Sequence, residues 1–320
     1  MYKNGKRIIN IDPLDRESKK MIFHYTSPDG LMLILKSHSL RFTDCQFLND
    51  KSEYTNIREP LTMACKKIKN QLNDKNLIFY LDELINKKYN YETVINFNDR
   101  KLGGFKSITM RYYIFSCSRD SDSLNMWNYY IKRGAYQGYN IGFSINDLLS
   151  GFSKIKDKNV CIFYGPIIYK NRIKIDILKN LIKRTDEELF SNSQSQLDVF
   201  KKDIRANEII ANMLSDIENY RLFFKDSFFS NEHEYRFAIR LPIDYKPKYE
   251  EKLELNFYLR NGILTPFCDL KFNDKEVVNE INISPMLDYD LAREGIEQYL
   301  SSHNYSENIG IHVSRIPVRF

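Results

Sequence analysis

The sequence predicts an α+β protein, a mixed sheet carrying a helical insertion, and three observations lead there. Short apolar and aromatic runs of strand type recur towards both ends of the chain, among them Met21–Tyr25, Tyr112–Ser118, Tyr139–Phe143 and Tyr235–Leu241. Between them, residues 170–225 repeat Lys, Asp, Glu, Ile and Leu at helical spacing with no Pro or Gly. The third observation concerns glycine. Only 12 are present, and neither G-x-G-x-x-G nor G-x-x-x-x-G-K-[ST] occurs, which removes dinucleotide folds and P-loops built on glycine-rich turns. The expected organisation is one domain over 1–320 with 170–225 inserted in it.

Taken in order, Met21–Tyr25 reads as a short strand. Asp29-Gly30 marks a turn, with Asp29 as the cap of a helical run Leu31–Lys36. Leu40–Phe42 reads as a strand. Asn49-Asp50 ahead of Glu53 resembles a capped helix start, and charged helical sequence follows to about Asn90, interrupted by Pro60. Gly103-Gly104 breaks the chain before the Tyr112–Ser118 strand. Asp120–Lys132 is expected to be helical and carries the single Trp, Trp127, with Gly134 and Gly138 ending it. Strands follow at Tyr139–Phe143 and Val160–Tyr164, then two or three amphipathic helices in the insertion. Strands Tyr235–Leu241, Leu253–Leu259 and Ile281–Ser284, a helix Asp290–Ser301 and a strand Ile309–Ile316 complete the pattern.

Composition narrows the class. Charged residues make up 28% and the mean hydropathy is −0.49, the balance of a water-soluble chain. No run of eighteen apolar residues occurs, and Met1–Lys20 has no apolar core of a secretory signal, so a cytoplasmic protein without membrane contact is expected. The five cysteines are scattered and form no C-x-x-C, which predicts reduced, buried thiols and no cysteine zinc site. A net charge of +6 suits an anionic partner such as nucleic acid. Aromatics beside basic residues, as in Arg111-Tyr112-Tyr113, are able to stack RNA bases, although aromatics in such numbers also fill cores.

Two segments carry the chemistry. In Asn231–Phe237, Glu232 and Glu234 lie two apart on a strand-like run, which would set both carboxylates on one face about 6.6 Å apart along the chain. Carboxylates on a core-anchored strand are costly unless solvated, paired or used. The plain alternative is an exposed face with Arg236 or Lys225 as partner. His233, between them, would face the other way. In Phe23–Ser27, His24 stands at a strand end before two hydroxyl residues, where it is able to donate to a sugar hydroxyl; the plain alternative is a ring satisfied by a neighbouring carbonyl. Histidine pairs at metal spacing and H-E-x-x-H are absent.

Together, the His24 segment, the Phe115-Ser116-x-Ser118 strand with its following helix, and the Glu234 strand resemble the three-part signature of the ADP-ribosyltransferase superfamily. That resemblance implies a mixed, mostly antiparallel sheet core and NAD as substrate. It implies that His24, with Tyr25 and Thr26, binds the nicotinamide-side ribose. An aromatic after the second motif would stack on nicotinamide, with Trp127 first among Trp127, Tyr129 and Tyr130. Glu234 would grip the ribose 2′-hydroxyl and steady the oxocarbenium-like centre, while Glu232 would activate the acceptor. Tyr25 stands where many members have Gly. The chain also resembles, over most of its length, a bacterial family known as domain of unknown function 2971, through Phe23–Thr26, Leu48-Asn49-Asp50 with Glu53, Met126-Trp127, Glu232-x-Glu234-x-Arg236, Ile283-x-Pro285 and Ser314-x-Ile316-Pro317-x-Arg319.

The function expected from these signs is NAD-dependent ADP-ribosyl transfer to a macromolecule, nucleic acid ahead of protein, with no metal required. Such an enzyme harms its own cell, which points to a toxin or antiviral-defence effector held by an inhibitory protein partner. Two other classes fit the residues: a metal-dependent nuclease with Asp226, Glu232 and Glu234 as ligands, and a non-enzymatic nucleic-acid or partner-binding module.

Overall fold

The computed structural model describes residues 8–11, 21–48, 56–86, 110–130, 137–153, 160–243, 245, 253, 255–272 and 275–317. The expected helix start at Asn49-Asp50-Glu53 and the breaks at Gly103-Gly104 and Gly134 lie outside them.

In chain order, β1 (Ile8–Asn10) and β2 (Met21–Thr26) lead to α1 (Pro28–Ser37) and β3 (Ser39–Asp44). Helices α2 (Arg58–Ile68) and α3 (Lys75–Asn86) precede β4 (Met110–Ser118) and α4 (Leu124–Tyr130). Then come β5 (Tyr139–Ser144), α5 (Ile145–Ser153), β6 (Cys161–Pro166) and the long helices α6 (Asn171–Ser193) and α7 (Val199–Arg221). The chain finishes with β7 (Glu234–Pro242), β8 (Leu255–Arg260), β9 (Ile263–Lys271), β10 (Val278–Ile283), α8 (Tyr289–Ser302) and β11 (Gly310–Val313).

Two compact units emerge. The helical unit holds α2, α3, α6 and α7, from described residues within 56–86 and 167–229. Its core is aliphatic, with Leu61, Ile68, Leu77, Leu178, Ile182, Met213 and Ile217 all buried. Pro60 does not interrupt this unit. It sits in the first turn of α2, where a backbone N–H has no helical acceptor to lose. The buried carboxylate of Asp186 on α6 accepts from the backbone N–H groups of Asn73 and Asp74, fixing the chain just ahead of α3.

The sheet unit, from described residues within 8–48, 112–166 and 230–317, is a mixed α/β assembly whose strands are mostly antiparallel. Its main path runs β1-β6-β7-β4-β2-β5-β10-β11. Strand β4 is a fork. Near its start it pairs with β3 (Thr43 with Ile114), and at its end with β2 (Phe23 with Ser118). From β3 a second arm continues through β9 to β8. One face of the sheet is the main core, taking Phe115 and Cys117 from β4, Phe237 and Ile239 from β7, and Ile141 and Phe143 from β5. Alternation turns Ser116, Glu234 and Arg236 to the other face.

Helix α1 begins one turn earlier than expected. Ser27, not Asp29, is the cap, accepting from the Gly30 N–H at 3.1 Å, with Pro28 at the first helical position. Gly30 is needed there for space, because a Cβ would overlap Thr26 Oγ1 at the end of β2. Ala normally gains about 1 kcal/mol over Gly inside a helix. Here the overlap should cost about 1–3 kcal/mol and win. Gly30→Ala is therefore expected to lower the urea midpoint, and a higher midpoint would refute the close approach.

Candidate active site

The three segments singled out by sequence lie on neighbouring strands, β2, β4 and β7, and meet at the fork. Ser116 of β4 is the meeting point. Its hydroxyl donates to Glu234 Oε1 at 2.5 Å. Its carbonyl accepts from His24 Nδ1 at 3.0 Å. The same Glu234 oxygen accepts from Arg236 Nε and Nη2, each at 2.7 Å, and both Glu234 and Arg236 are buried. The carboxylate is thus paired with Arg236, as the plain reading allowed, but on a buried face.

His24 comes to Ser116 from the other side. Its ring lies 4.6 Å from that of Phe115, on the face opposite the Ser116 side chain. Burial pushes its pKa below the ordinary value, against a smaller raising effect of the Ser116 carbonyl bond, so the neutral form is favoured. A carbonyl only accepts, which places the proton on Nδ1 and leaves Nε2 with a lone pair. With the proton on Nδ1, Nε2 is left able to accept from a sugar hydroxyl and not to donate to one.

The paired-carboxylate geometry does not form. Glu232 belongs to a 3-10 turn, Ser227–Glu232, and β7 begins only at Glu234. Between them His233 has φ 43°, a left-handed residue that breaks strand alternation. Glu232 is buried, and its carbonyl accepts from Ser118 Oγ at 2.7 Å. His233 is instead 57% exposed, with Nδ1 at 2.7 Å from Asp120 Oδ2.

Residues 120–123, expected as the start of a helix, form a tethered loop ahead of α4. The Tyr25 hydroxyl donates to the Asp120 carbonyl and accepts from the Ser123 N–H. Asn140 Nδ2 donates to the Ser121 carbonyl. Burial raises the Tyr25 phenol well above its ordinary range, so it stays protonated for this bridge. Trp127 is fully buried, edge-on to Tyr25 at 4.6 Å, and its Nε1 donates to Asp122 Oδ1 at 2.8 Å. Asp122 also takes the Ser314 hydroxyl and the Arg315 N–H, so it ties Trp127 to the closing segment. Tyr129 and Tyr130 are exposed. Thr26 is buried beside Gly30. Asp120 and Asp122 escaped sequence reasoning, because the run from Asp120 to Lys132 reads as one helix and hides the loop ahead of α4.

Residues 126–237 match the model of DUF2971, a family described as of unknown function. The DUF2971 span runs from Met126 to Phe237 and so includes Trp127, Glu232, Glu234 and Arg236, while β2 and β4 lie before it. No curated protein and no solved structure matches the chain. Among the described residues, no three His, Cys, Asp or Glu side chains gather as a metal would require, so the ligand set Asp226, Glu232 and Glu234 gains no support. Among the same residues, no helix is long and apolar enough to cross a membrane.

Proposed function

We propose that this protein transfers ADP-ribose from NAD, its substrate, to a macromolecular acceptor, with nucleic acid favoured over protein. The observation that supports the reading is the convergence of His24, Ser116 and Glu234 at the fork of β4. In this reading the nicotinamide-side ribose lies in the gap where β2 and β3 part from β4, so that His24 reaches it from one face of β4 and Glu234 from the other. His24 Nε2 accepts from a ribose hydroxyl. Glu234, oriented by Ser116 and Arg236, faces the sugar carbon as its bond to nicotinamide breaks. Positive charge grows on the ring at that moment, so a fixed carboxylate stabilises the transition state more than the bound substrate. Orientation by two neighbours keeps the carboxylate from reorganising during the step. Tyr25, Thr26 and Trp127 act as supports of this segment; Trp127, expected first on nicotinamide, is fully buried, which leaves that role to the exposed Tyr129 or Tyr130. The net charge of +6 favours an anionic acceptor, and the self-harm in such an activity implies an inhibitory protein partner.

The test of the acceptor uses NAD labelled in its adenylate phosphate, offered with total cellular RNA, denatured DNA and lysate protein. Label carried by RNA or DNA is expected. Label in none of the three, with NAD consumed, would reduce the activity to hydrolysis.

A further inference from the structure

We infer that His233, held by Asp120, is the base that takes the acceptor's proton in the transfer; the inference rests on the transferase reading above. Three observations lead to it. The Nδ1 to Asp120 Oδ2 distance is 2.7 Å, which directs the Nδ1 proton to the carboxylate and leaves the Nε2 lone pair for a proton from elsewhere. The pair is open, His233 being 57% and Asp120 40% exposed, so a bulky acceptor is able to reach it, whereas Glu232 is buried.

The third observation is the backbone. A left-handed His costs about 1–2 kcal/mol. A left-handed residue directly after a helical turn is nevertheless an ordinary helix end, as His38 is after α1, so the cost is not itself a sign of function. What the conformation achieves is placement. The His233 carbonyl accepts from the Arg119 N–H at 3.0 Å, and Ser118 Oγ donates to the Glu232 carbonyl while accepting from the Asp120 N–H at 3.1 Å. The Tyr25 hydroxyl holds the Asp120 carbonyl at 2.9 Å. Both members of the pair are therefore fixed from several sides, one residue ahead of Glu234.

The bond from the ribose C1′ to nicotinamide breaks and its electron pair leaves with nicotinamide. An acceptor oxygen or nitrogen bonds to C1′, and the proton it carried passes to His233 Nε2 and then to water. Asp120 steadies the imidazolium formed and is a positioning residue.

The experiment compares wild type, His233→Asn and Asp120→Asn, using labelled NAD with total cellular RNA and lysate protein as acceptors. Asn is chosen at 233 because it tolerates a positive φ. The readout is the share of cleaved NAD whose ADP-ribose ends on an acceptor instead of on water. Positioned bases contribute about 10²–10⁴-fold, so that share should fall at least about a hundredfold in both variants. A share within about twofold of wild type in either variant, while NAD is still cleaved, overturns the assignment and leaves the transferase reading standing. A wild type that cleaves NAD but labels neither acceptor overturns it too. No cleavage by wild type removes the transferase reading, and this inference with it.

Discussion

Arg236→Met should lower the free energy of unfolding by about 3–5 kcal/mol, the range found when one partner of a buried ion pair is removed. Arg236 is nearly inaccessible and gives two donors to one oxygen of Glu234, itself buried. Met keeps much of the volume but leaves the carboxylate desolvated beside Ser116 alone of these two neighbours. The pair need not be a net gain, because desolvating two charges consumes most of their attraction. Its worth shows in a double variant: Glu234→Gln with Arg236→Met should recover much of the lost stability, since no uncompensated charge remains. Urea unfolding of the single and double variants decides it. A single variant within about 1 kcal/mol of wild type would mean that the carboxylate is not dependent on Arg236.

Trp127→Ala should cost about 3–5 kcal/mol, as truncating a fully buried aromatic does. The cavity would open beside Tyr25, and Asp122 would lose one of its donors. Because Tyr25 holds the Asp120 carbonyl, loosening should reach the His233–Asp120 pair as well. Thermal unfolding measures the first effect. Trp127→Phe, which keeps an aromatic ring but not the N–H, should lose only about 1 kcal/mol. If Trp127→Ala unfolds like wild type, the residue is not part of the core.

The strands were readable wherever alternation or an unbroken apolar run extended through them, as in β4, β5 and β7. The helices α6 and α7 were readable from their spacing and their lack of Pro and Gly. Strand β9 was not seen because Pro266 sits inside it, although Asn261-Gly262 just before it is a strong hairpin signal; both residues have positive φ. The candidate site was legible as three segments but not as a geometry. A left-handed His233 has no signature in sequence, and it alone separates Glu232 from the strand. The tautomer of His24 follows from the Ser116 carbonyl, a partner 92 positions away along the chain. Asp120 matters only through contacts to Tyr25, Ser118 and His233, all distant or unpatterned in sequence.

The most direct measurement is nicotinamide release from NAD by purified protein, wild type beside Glu234→Gln, with the urea midpoint of each measured alongside. Losing a preorganised charge-stabilising group typically costs about 10²–10³-fold in rate. Wild type should therefore release nicotinamide, and Glu234→Gln, less stable because Arg236 loses its carboxylate partner, should do so at least about a hundredfold more slowly at a temperature where it is still folded. Release that is equal in the two, or absent from wild type with RNA, DNA and lysate protein all supplied, would contradict the assignment of the β4 fork as an NAD-cleaving site.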